Sequence, residues 1–183
     1  MKRAEIKVYL VLGLLLVAVV VFTLLNQGDR EIKRALEDNR EFLIKADGDV
    51  VAAINLQTLL NAGPQEFSTP FATSVTASRD AMMRGVELRF LLESLGIELS
   101  GASHINVSGL DSYYSPLSVE EVSREGTVYI CFSMDGEILK PQSEGGYGPF
   151  LMVIRDSRFA QRWCKYVATV EVVYGGSTAG DND

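Results

Sequence analysis

The segment GVELRFLLESLGI (residues 85–97) carries the clearest periodicity in the chain. Its apolar positions Leu88, Leu91, Leu92 and Leu95 are spaced i, i+3, i+4 and i+7, which is the pattern of a helix with one apolar face. Gly96 follows the last of them, and glycine commonly ends a helix because it adopts the left-handed conformation. The spacing therefore predicts an amphipathic helix between Gly85 and Gly96.

The segments on both sides of this helix have the composition of short β-strands. Residues 67–77 (FSTPFATSVTA) are rich in Ser, Thr and Val, and Pro70 favours a sheet edge. Residues 127–134 (TVYICFSM) form a near-continuous apolar run, which is typical of a central strand. Further strands are predicted at residues 42–45, 50–54, 104–107, 113–117, 149–154 and 163–174. The expected fold is α+β, with mixed β-sheets and a few short helices.

Turn and capping residues separate these elements. Asp47-Gly48-Asp49 predicts a tight hairpin turn, because glycine supplies the positive φ that such a turn needs. Asn55 can cap a short helix, and Ser118 followed by Glu121 has the capping-box spacing. The folded domain is expected to span residues 42–174, followed by a disordered tail at residues 175–183.

The N-terminal part of the chain contains an uncharged segment, VYLVLGLLLVAVVVFTLL (residues 8–25). A bilayer core of about 30 Å needs roughly 20 apolar residues in a helix, and Ile6 and Lys7 extend the usable length. We therefore expect one transmembrane helix. A cleavable signal peptide is the alternative, but its apolar region is shorter and ends in small residues.

The charges around this segment predict its orientation. Lys2, Arg3 and Lys7 precede it, whereas residues 29–38 mix both signs. Positive charge stays on the cytoplasmic side. The expected order is a cytoplasmic stub (residues 1–7), the membrane helix (8–25), an exposed stalk (26–41) and an extracytoplasmic domain.

The charge balance argues against one class of partner. The chain has 17 basic and 24 acidic residues, and removing the three basic and one acidic residues of the stub leaves 14 against 23. Nucleic-acid binding requires a basic surface. We therefore expect no nucleic acid, and instead a small anionic ligand or a membrane protein partner.

Three stretches in this order resemble a known family. They are Gly85–Ile97; Gly109–Tyr113 followed by Tyr129–Leu139; and Gly145–Ile154 followed by Trp163, Lys165 and Val170–Val172. Together they are similar to the oxidoreductase molybdopterin-binding domain of the sulfite oxidase type, especially its short membrane-linked bacterial relatives. The resemblance covers roughly residues 42–172, and it implies that fold and a molybdopterin cofactor.

The sequence departs from the family where the metal would bind. Family enzymes hold molybdenum through a Cys thiolate before the glycine-opened helix, and residues 73–79 (TSVTASR) contain no Cys. Hydroxyl groups do not replace a soft thiolate at a transition metal. The family's His-Gly and strand Arg are also missing, since this chain has Gly145-Gly146 and Leu151. These departures argue against the binding of molybdenum, although the resemblance implies a site for the pterin part of the cofactor.

The resemblance implies a pocket where three segments meet: the end of the strand at residues 73–79, the turn at 111–113 and the loop at 145–148. The candidate cofactor-binding residues are Ser74, Thr76, Arg79, Asp111, Tyr113, Gly145, Gly146 and Gly148. No catalytic residue and no metal ligand is assigned. His104 is expected to be structural, and Cys131 and Cys164 are either free buried thiols or a disulfide.

Two functions are compatible with these observations. The first is a membrane-anchored extracytoplasmic module that binds a ligand or partner and keeps the family fold without molybdenum. The second is an active molybdopterin-dependent oxidoreductase whose metal has no protein thiolate ligand.

Overall fold

The computed structural model describes the backbone of residues 3–25, 27–71, 79–155 and 162–175, and the side chains of these ranges except those of residues 3–10 and 23–30. The chain divides into two units, Met1–Ala35 and Leu36–Asp183. The first unit contains helix α1 (Arg3–Leu25) and most of helix α2 (Gln27–Asn39).

Helix α1 contains the predicted transmembrane segment, residues 8–25. Its described side chains, at residues 11–22, are exposed. Within the stretches described down to their side chains, we find no helix with the length and apolar character needed to cross a bilayer. The predicted stalk at residues 26–41 is largely helical, as α2, and Leu36 near its end is buried.

The second unit contains two β-sheets. The strands are β1 (Glu41–Ala46), β2 (Asp49–Asn55), β3 (Gln65–Phe71), β4 (Arg79–Glu87), β5 (Ala102–Gly109), β6 (Tyr114–Leu117), β7 (Val128–Met134), β8 (Glu137–Ile138), β9 (Leu151–Ile154) and β10 (Val167–Tyr174). One sheet has the order β2-β1-β10-β5-β6. The other has the order β3-β4-β7-β8, with β9 also paired to β7. The first sheet is mixed, because β1 and β10 run parallel while its other pairs are antiparallel. The strand pairs of the second sheet are all antiparallel.

The core contains apolar side chains from both sheets. Phe42 on β1 and Phe150 just before β9 are fully buried, and their rings meet edge to face with centroids 5.0 Å apart. Strand β7, predicted as central, is buried along almost its whole length and pairs with β4 on one side and with β8 and β9 on the other. The prediction of an α+β domain is confirmed, and one of its two sheets is mixed as predicted.

The described residues of the second unit also include the short α-helices α3 (Leu56–Asn61), α4 (Leu88–Ser94) and α5 (Val119–Ser123), and one turn of 3-10 helix at Gln142–Glu144. The Asn55 side chain accepts a hydrogen bond from the N–H of Thr58, and the capping box of Ser118 and Glu121 is complete. Both predicted caps are therefore confirmed. Each satisfies an N–H group that the first turn of a helix leaves without a partner.

The predicted helix at residues 85–96 is shorter than expected. Gly85–Glu87 belong to the end of β4, and α4 begins at Leu88. A Cβ at Gly85 would lie 2.5 Å from the carbonyl oxygen of Ile130 on β7, so glycine here permits the close approach of two strands. Strand β4 itself was not predicted, because residues 79–84 (RDAMMR) show no strand-rich composition.

Two other strand boundaries differ from the prediction. The last strand begins at Val167 and not at Trp163, because Tyr166 has a φ of 54° and interrupts the extended chain. The strand predicted at 67–77 is β3 up to Phe71, and residues 72–77 lie outside the described part. Strand β3 is an edge strand, as Pro70 indicated. The tail from residue 176 onward also lies outside the described part.

Both cysteines are free and buried, so the structure contains no disulfide between them. Cys131 lies on β7 and Cys164 lies before β10, where its backbone pairs with Met152 on β9. They behave as small apolar core residues.

Candidate functional site

Two of the three predicted site segments meet at the backbone of Tyr166. The N–H of Tyr166 donates to the carbonyl of Tyr147 in the glycine loop at 3.2 Å. The carbonyl of Tyr166 accepts from the N–H of Leu110, in the turn that contains Asp111, at 2.9 Å. Tyr166 is therefore held between the loop at 145–148 and the turn at 111–113, in a left-handed conformation that bulky residues rarely adopt.

The ring of Tyr147 connects this point to the third predicted segment. It meets the ring of Phe71, at the end of β3, edge to face with centroids 5.4 Å apart. The Nζ of Lys165 lies 4.6 Å from the centroid of the same ring. Tyr147 also lies close enough to Arg79 to affect its pKa. The ends of β3 and β4 thus reach the same place as the loop and the turn.

Tyr147 lines a cleft of about 340 Å³, which we call the Tyr147 cleft. Its lining residues are Arg79, Met134, Asp135, Glu137, Ile138, Leu139, Lys140, Gly146 and Tyr147. Two of the predicted site residues, Arg79 and Gly146, are among them. A second cleft of about 400 Å³ lies near α4 and contains none of the predicted residues.

Arg79 is engaged by a carboxylate. Its guanidinium lies 2.7 Å from the Asp135 carboxylate, which also accepts from the N–H of Met82 at 2.9 Å. The hydrogen bond from Arg79 is the main reason that the pKa of Asp135 lies below its usual range, and the N–H of Met82 adds to it. The positive charge of Arg79 is therefore largely balanced within the cleft.

Asp111 and Tyr113 are adjacent in a turn. The Asp111 Oδ1 accepts from the N–H of Tyr113 at 3.1 Å, which is an Asx-type contact that stabilises the turn. Asp111 is exposed, and its charge helps to raise the pKa of Cys164 and of Tyr166, after the larger effect of burial. Its carboxylate therefore gives this side of the site a negative potential.

The three glycines that were predicted as site residues each have a structural role within their own loop. The N–H groups of Gly145, Gly146 and Gly148 donate to carbonyls of the same loop, those of Gln142, Pro141 and Lys140 respectively. A Cβ at Gly146 would overlap with the Lys140 carbonyl, and one at Gly148 would lie 2.5 Å from the Leu139 Cβ. Because these N–H groups already have partners, the loop offers a ligand the side chain of Tyr147 more readily than its backbone donors.

Neither cysteine provides a metal-binding thiolate. Burial raises the pKa of the Cys131 thiol far above its usual range, and it raises that of Cys164 to about 12. A thiol must lose its proton to bind a metal, and a buried apolar environment opposes this. The ranges with described side chains also contain no group of three or more His, Cys, Asp or Glu that could hold a metal ion.

Ser74 and Thr76 lie outside the described residues, so their positions in the site stay predictions. The structure adds Tyr147, Lys165 and Tyr166, none of which was predicted as a site residue, although Lys165 belongs to a stretch that resembles the family. Tyr147 stands between two glycines, in a loop that was already a candidate, and this was a usable signal. The positive φ of Tyr166 has no sequence signature, because tyrosine rarely adopts it.

A molybdenum pterin fits the described residues poorly. Arg79 is paired with Asp135, and Arg162 is paired with Glu121 through two hydrogen bonds of 2.6 and 3.0 Å. Bidentate contacts to the phosphate of an anionic pterin need a free guanidinium. The buried thiols leave the metal without a thiolate as well.

Comparison with known proteins shows the family of the chain. The model of the family described as "Oxidoreductase molybdopterin binding domain" matches residues 46–179, which is more than half of the chain. The crystal structure of the sulfane dehydrogenase SoxCD from Paracoccus pantotrophus is similar in fold, with a TM-score of 0.57 and 18% sequence identity. The similar region covers 73% of this chain and 38% of that protein. No curated protein matches the sequence.

The family match and the shared fold agree with the motifs seen at residues 85–97, 109–139 and 145–172. The strands from β2 to β10, the glycine loop before β9 and the helix after β4 all lie within the matched range. The chain belongs to the oxidoreductase molybdopterin-binding domain family.

Proposed function

We propose that this protein is a membrane-anchored extracytoplasmic module of the molybdopterin-binding family, which binds a small ligand or a protein partner and carries out no molybdenum chemistry. The observation that carries the proposal is the state of its two thiols. Cys131 and Cys164 are the only cysteines of the chain, and both are buried in the core with a raised pKa. A soft metal would find no thiolate on this protein.

The charges around the site support the same proposal. Arg79 and Arg162 each have a carboxylate partner, at 2.7 and 2.6 Å. The acidic residues Asp135 and Glu137 in the Tyr147 cleft offset Arg79 and Lys140. A site with so little net positive charge suits a smaller and less charged ligand than a pterin phosphate.

The membrane anchor in this proposal rests on the sequence. Residues 8–25 contain no charge, Lys2, Arg3 and Lys7 precede them, and the backbone is helical from Arg3 to Leu25. A C-terminal alkaline phosphatase fusion tests the orientation, because that enzyme is active only outside the cytoplasm. We expect high phosphatase activity from the fusion. In a separate extraction of membranes, the protein should be released by detergent but not by alkaline carbonate. Low fusion activity, or release by carbonate, would contradict the anchor.

A second candidate is an active molybdopterin-dependent oxidoreductase whose metal has no protein thiolate. Family membership favours it, together with the similarity in fold to a protein described as a sulfane dehydrogenase. In that case, residues 72–78 next to Arg79 would have to provide the cofactor contacts that the described residues lack.

Elemental analysis distinguishes the two candidates. The full-length protein is purified in detergent from a host that is rich in molybdenum and makes the pterin, alongside an authentic molybdenum enzyme from the same host. We expect the reference enzyme to contain stoichiometric molybdenum and this protein to contain almost none. Stoichiometric molybdenum in this protein would overturn the proposal and establish the second candidate.

Two variants make the comparison sharper. Ser74→Cys and Thr76→Cys each place a thiol in the segment where family enzymes carry their ligand. We expect neither variant to acquire molybdenum, because the guanidinium groups of Arg79 and Arg162 remain paired with carboxylates. Acquisition of metal by either one would show that only the thiolate is missing, and that the pterin site is intact.

A further inference from the structure

We propose that the outward side of the first sheet is an interface between two copies of this chain, in which Lys45 of each copy binds Glu171 and Asn106 of the other. The inference goes beyond the proposed function and does not depend on it, because it involves neither a cofactor nor a ligand of the Tyr147 cleft.

The outward side of the sheet follows from the alternation of side chains along its strands. Ile44 on β1, Val172 on β10 and Ile105 on β5 are fully buried in the core. Successive side chains of a strand point to opposite faces of the sheet. The residues next to these three therefore point away from the core, and they are Lys45, Glu171 and Asn106.

These three residues lie in one row across neighbouring strands. Lys45 is the register partner of Glu171 in the parallel pair of β1 and β10, and Glu171 is the register partner of Asn106 in the antiparallel pair of β10 and β5. Val50 on β2 and Pro116 on β6 extend the row to both edges of the sheet. We call these five residues the Lys45 row.

The two charges of the Lys45 row are unpaired within the described part of the chain. No ion pair there involves Lys45 or Glu171, although the two residues are neighbours in register. Both side chains are half-buried and therefore reach the surface. Opposite charges that lie side by side without pairing are both available to a second molecule.

Asn106 provides an independent observation at the same place. Its side chain is only 9% exposed, and among the described residues no donor bonds to its Oδ1. Most buried polar atoms of folded proteins have a hydrogen-bond partner, so this acceptor requires an explanation. Because part of the side chain reaches the surface, a rotation of the amide brings Oδ1 to a donor that arrives from outside. A lysine ammonium has three N–H groups, and it can bond to Glu171 and to Asn106 together.

The Lys45 row is complementary to itself. In a two-fold interface, residue i of one copy meets residue j of the other, and j meets i. A half-turn about an axis along the strands, between β1 and β10, places each Lys45 opposite Glu171 of the other copy. Val50 and Tyr114, at the two edges of the same face, are 58% and 53% exposed and add apolar contact area. The face therefore carries both halves of the contact, which favours a second copy over an unrelated partner.

The size of the face limits the strength of the dimer. Five strands, each about six residues long, give a planar area of roughly 480 Å² at the usual spacings of a sheet. A standard interface buries about 800 Å² per partner. We therefore expect a weak dimer, with a dissociation constant in the micromolar range.

Charge reversal tests the inference. Sedimentation velocity of the full-length protein in detergent, over roughly 1 to 100 μM, gives the dissociation constant of the dimer. We expect the wild type to dimerise in this range. Lys45→Glu and Glu171→Lys should each raise the dissociation constant by about tenfold or more, because like charges then face each other across the interface.

A mixture of the two variants separates repulsion between copies from repulsion within one chain. The Lys45→Glu copy has two carboxylates in the row, and the Glu171→Lys copy has two ammonium groups. A dimer of one copy of each pairs opposite charges at both contacts. We expect the mixture to dimerise at least as tightly as the wild type, and repulsion within each chain, which mixing leaves unchanged, does not explain such a recovery.

The second sheet offers a matched control. Glu66 and Arg84 are exposed register partners of opposite charge on β3 and β4. Glu66→Lys and Arg84→Glu change the net charge by the same amounts as the test variants. We expect each control variant to dimerise like the wild type, and their mixture to show no further gain.

Asn106→Leu tests the unsatisfied acceptor. An apolar side chain removes a buried acceptor without a donor, so the variant should unfold at a higher temperature than the wild type at concentrations where both are monomers. Its dimer should nevertheless be several-fold weaker, because Lys45 of the other copy loses an acceptor. Dimerisation as tight as that of the wild type would overturn the role of Asn106.

Three results would overturn the interface as a whole: a wild type that stays monomeric throughout the range, single reversals that dimerise like the wild type, or a mixture that does not recover. The second result would mean that the copies associate through another surface, such as α1, which the variants leave intact. Thermal unfolding checks that each variant is folded. The molybdenum content of the protein tests the proposed function and has no bearing on these outcomes.

Discussion

The N–H of Tyr166 donates to the carbonyl of Tyr147 at 3.2 Å, and this bond joins the start of the last strand to the glycine loop. The loop is in turn fixed by its own hydrogen bonds, from Gly145, Gly146 and Gly148 to the chain at residues 140–142. The position of the Tyr147 ring therefore depends on how closely this loop can fold back on itself.

Gly146→Ala should destabilise the protein by roughly 1–3 kcal/mol, because the added methyl group overlaps with the Lys140 carbonyl and forces the backbone to shift. The free energy of unfolding can be measured by urea titration of the detergent-solubilised protein, with Trp163 as the probe. Trp163 is buried, and its indole N–H donates to the Ile154 carbonyl at 3.2 Å. Its fluorescence should therefore change on unfolding.

The control for this prediction is Gly175→Ala, since a Cβ at Gly175 meets nothing within 4 Å. We expect an effect below about 0.5 kcal/mol there, as for most surface substitutions. Equal stability of the two variants would show that the loop does not approach Lys140 as closely as described.

Much of the fold was predictable because its signals are local. Asn55, the turn at 47–49 and the capping box at Ser118 each act within three or four residues, and all were predicted correctly. Strand β4 was missed because residues 79–84 lack a strand-rich composition, and because one of its partners, β7, lies about 45 residues later in the sequence. Periodicity within a short window does not record such pairing, and the leucines of α4 extended the predicted helix back to Gly85.

Gly85→Ala distinguishes a helix that begins at Gly85, as the sequence predicts, from the observed helix, which begins at Leu88. If Gly85 began the helix, alanine would stabilise it by up to about 1 kcal/mol, because alanine is the better helix former. In the structure, a Cβ at this position lies 2.5 Å from the Ile130 carbonyl oxygen and 2.7 Å from the Cα of Cys131. We therefore expect a loss of roughly 1–3 kcal/mol, measured by the same urea titration. A gain in stability would favour the longer helix.

The site was less predictable than the fold. The sequence identified the segments that contain Asp111 and the glycines, but it assigned the binding role to the backbone of the glycine loop. The structure uses those N–H groups within the loop. Lys165 and Tyr166 were not predicted as site residues, because their contacts are with Tyr147 and Leu110, which lie 18 and 56 residues away. The segment at 72–78 remains the untested part of the prediction.

The two thiols should be unreactive in the folded protein. Cys131 is fully buried, and the pKa of Cys164 is raised to about 12, so at pH 8 on the order of one Cys164 in ten thousand is a thiolate. We expect no labelling by a thiol reagent at pH 8 in native conditions, and two labelled thiols per chain in denaturant. Ser123→Cys is a suitable control, because Ser123 is exposed and its thiol should react at once. Rapid labelling of Cys131 or Cys164 in native conditions would contradict their buried positions. If neither thiol is labelled in denaturant without reductant, the two cysteines form a disulfide.

The pair formed by Glu121 and Arg162 should make stability depend on pH in the acidic range. Hydrogen bonding to Arg162 is the main reason that the pKa of Glu121 lies below its usual value in the folded state. The folded state therefore binds the proton less readily than the unfolded state. The resulting stabilisation is fully present above the pKa of the unfolded chain, about 4.3 for Glu, and is lost as the pH falls through the lower, folded value. Because the Arg162 side chain is 46% exposed, solvent screening limits the contribution to about 1 kcal/mol or less.

Glu121→Gln tests this dependence. We expect the variant to be less stable than the wild type at pH 7, and the difference to disappear as the pH falls below about 4. Glu120→Gln is the matched control on the same helix, since the Glu120 side chain is 84% exposed in its pair with Arg124 and should contribute almost nothing at either pH. Urea titrations at a series of pH values measure both. A constant difference between Glu121→Gln and the wild type across this range would mean that the variant acts through lost packing or capping and not through the charge of Glu121.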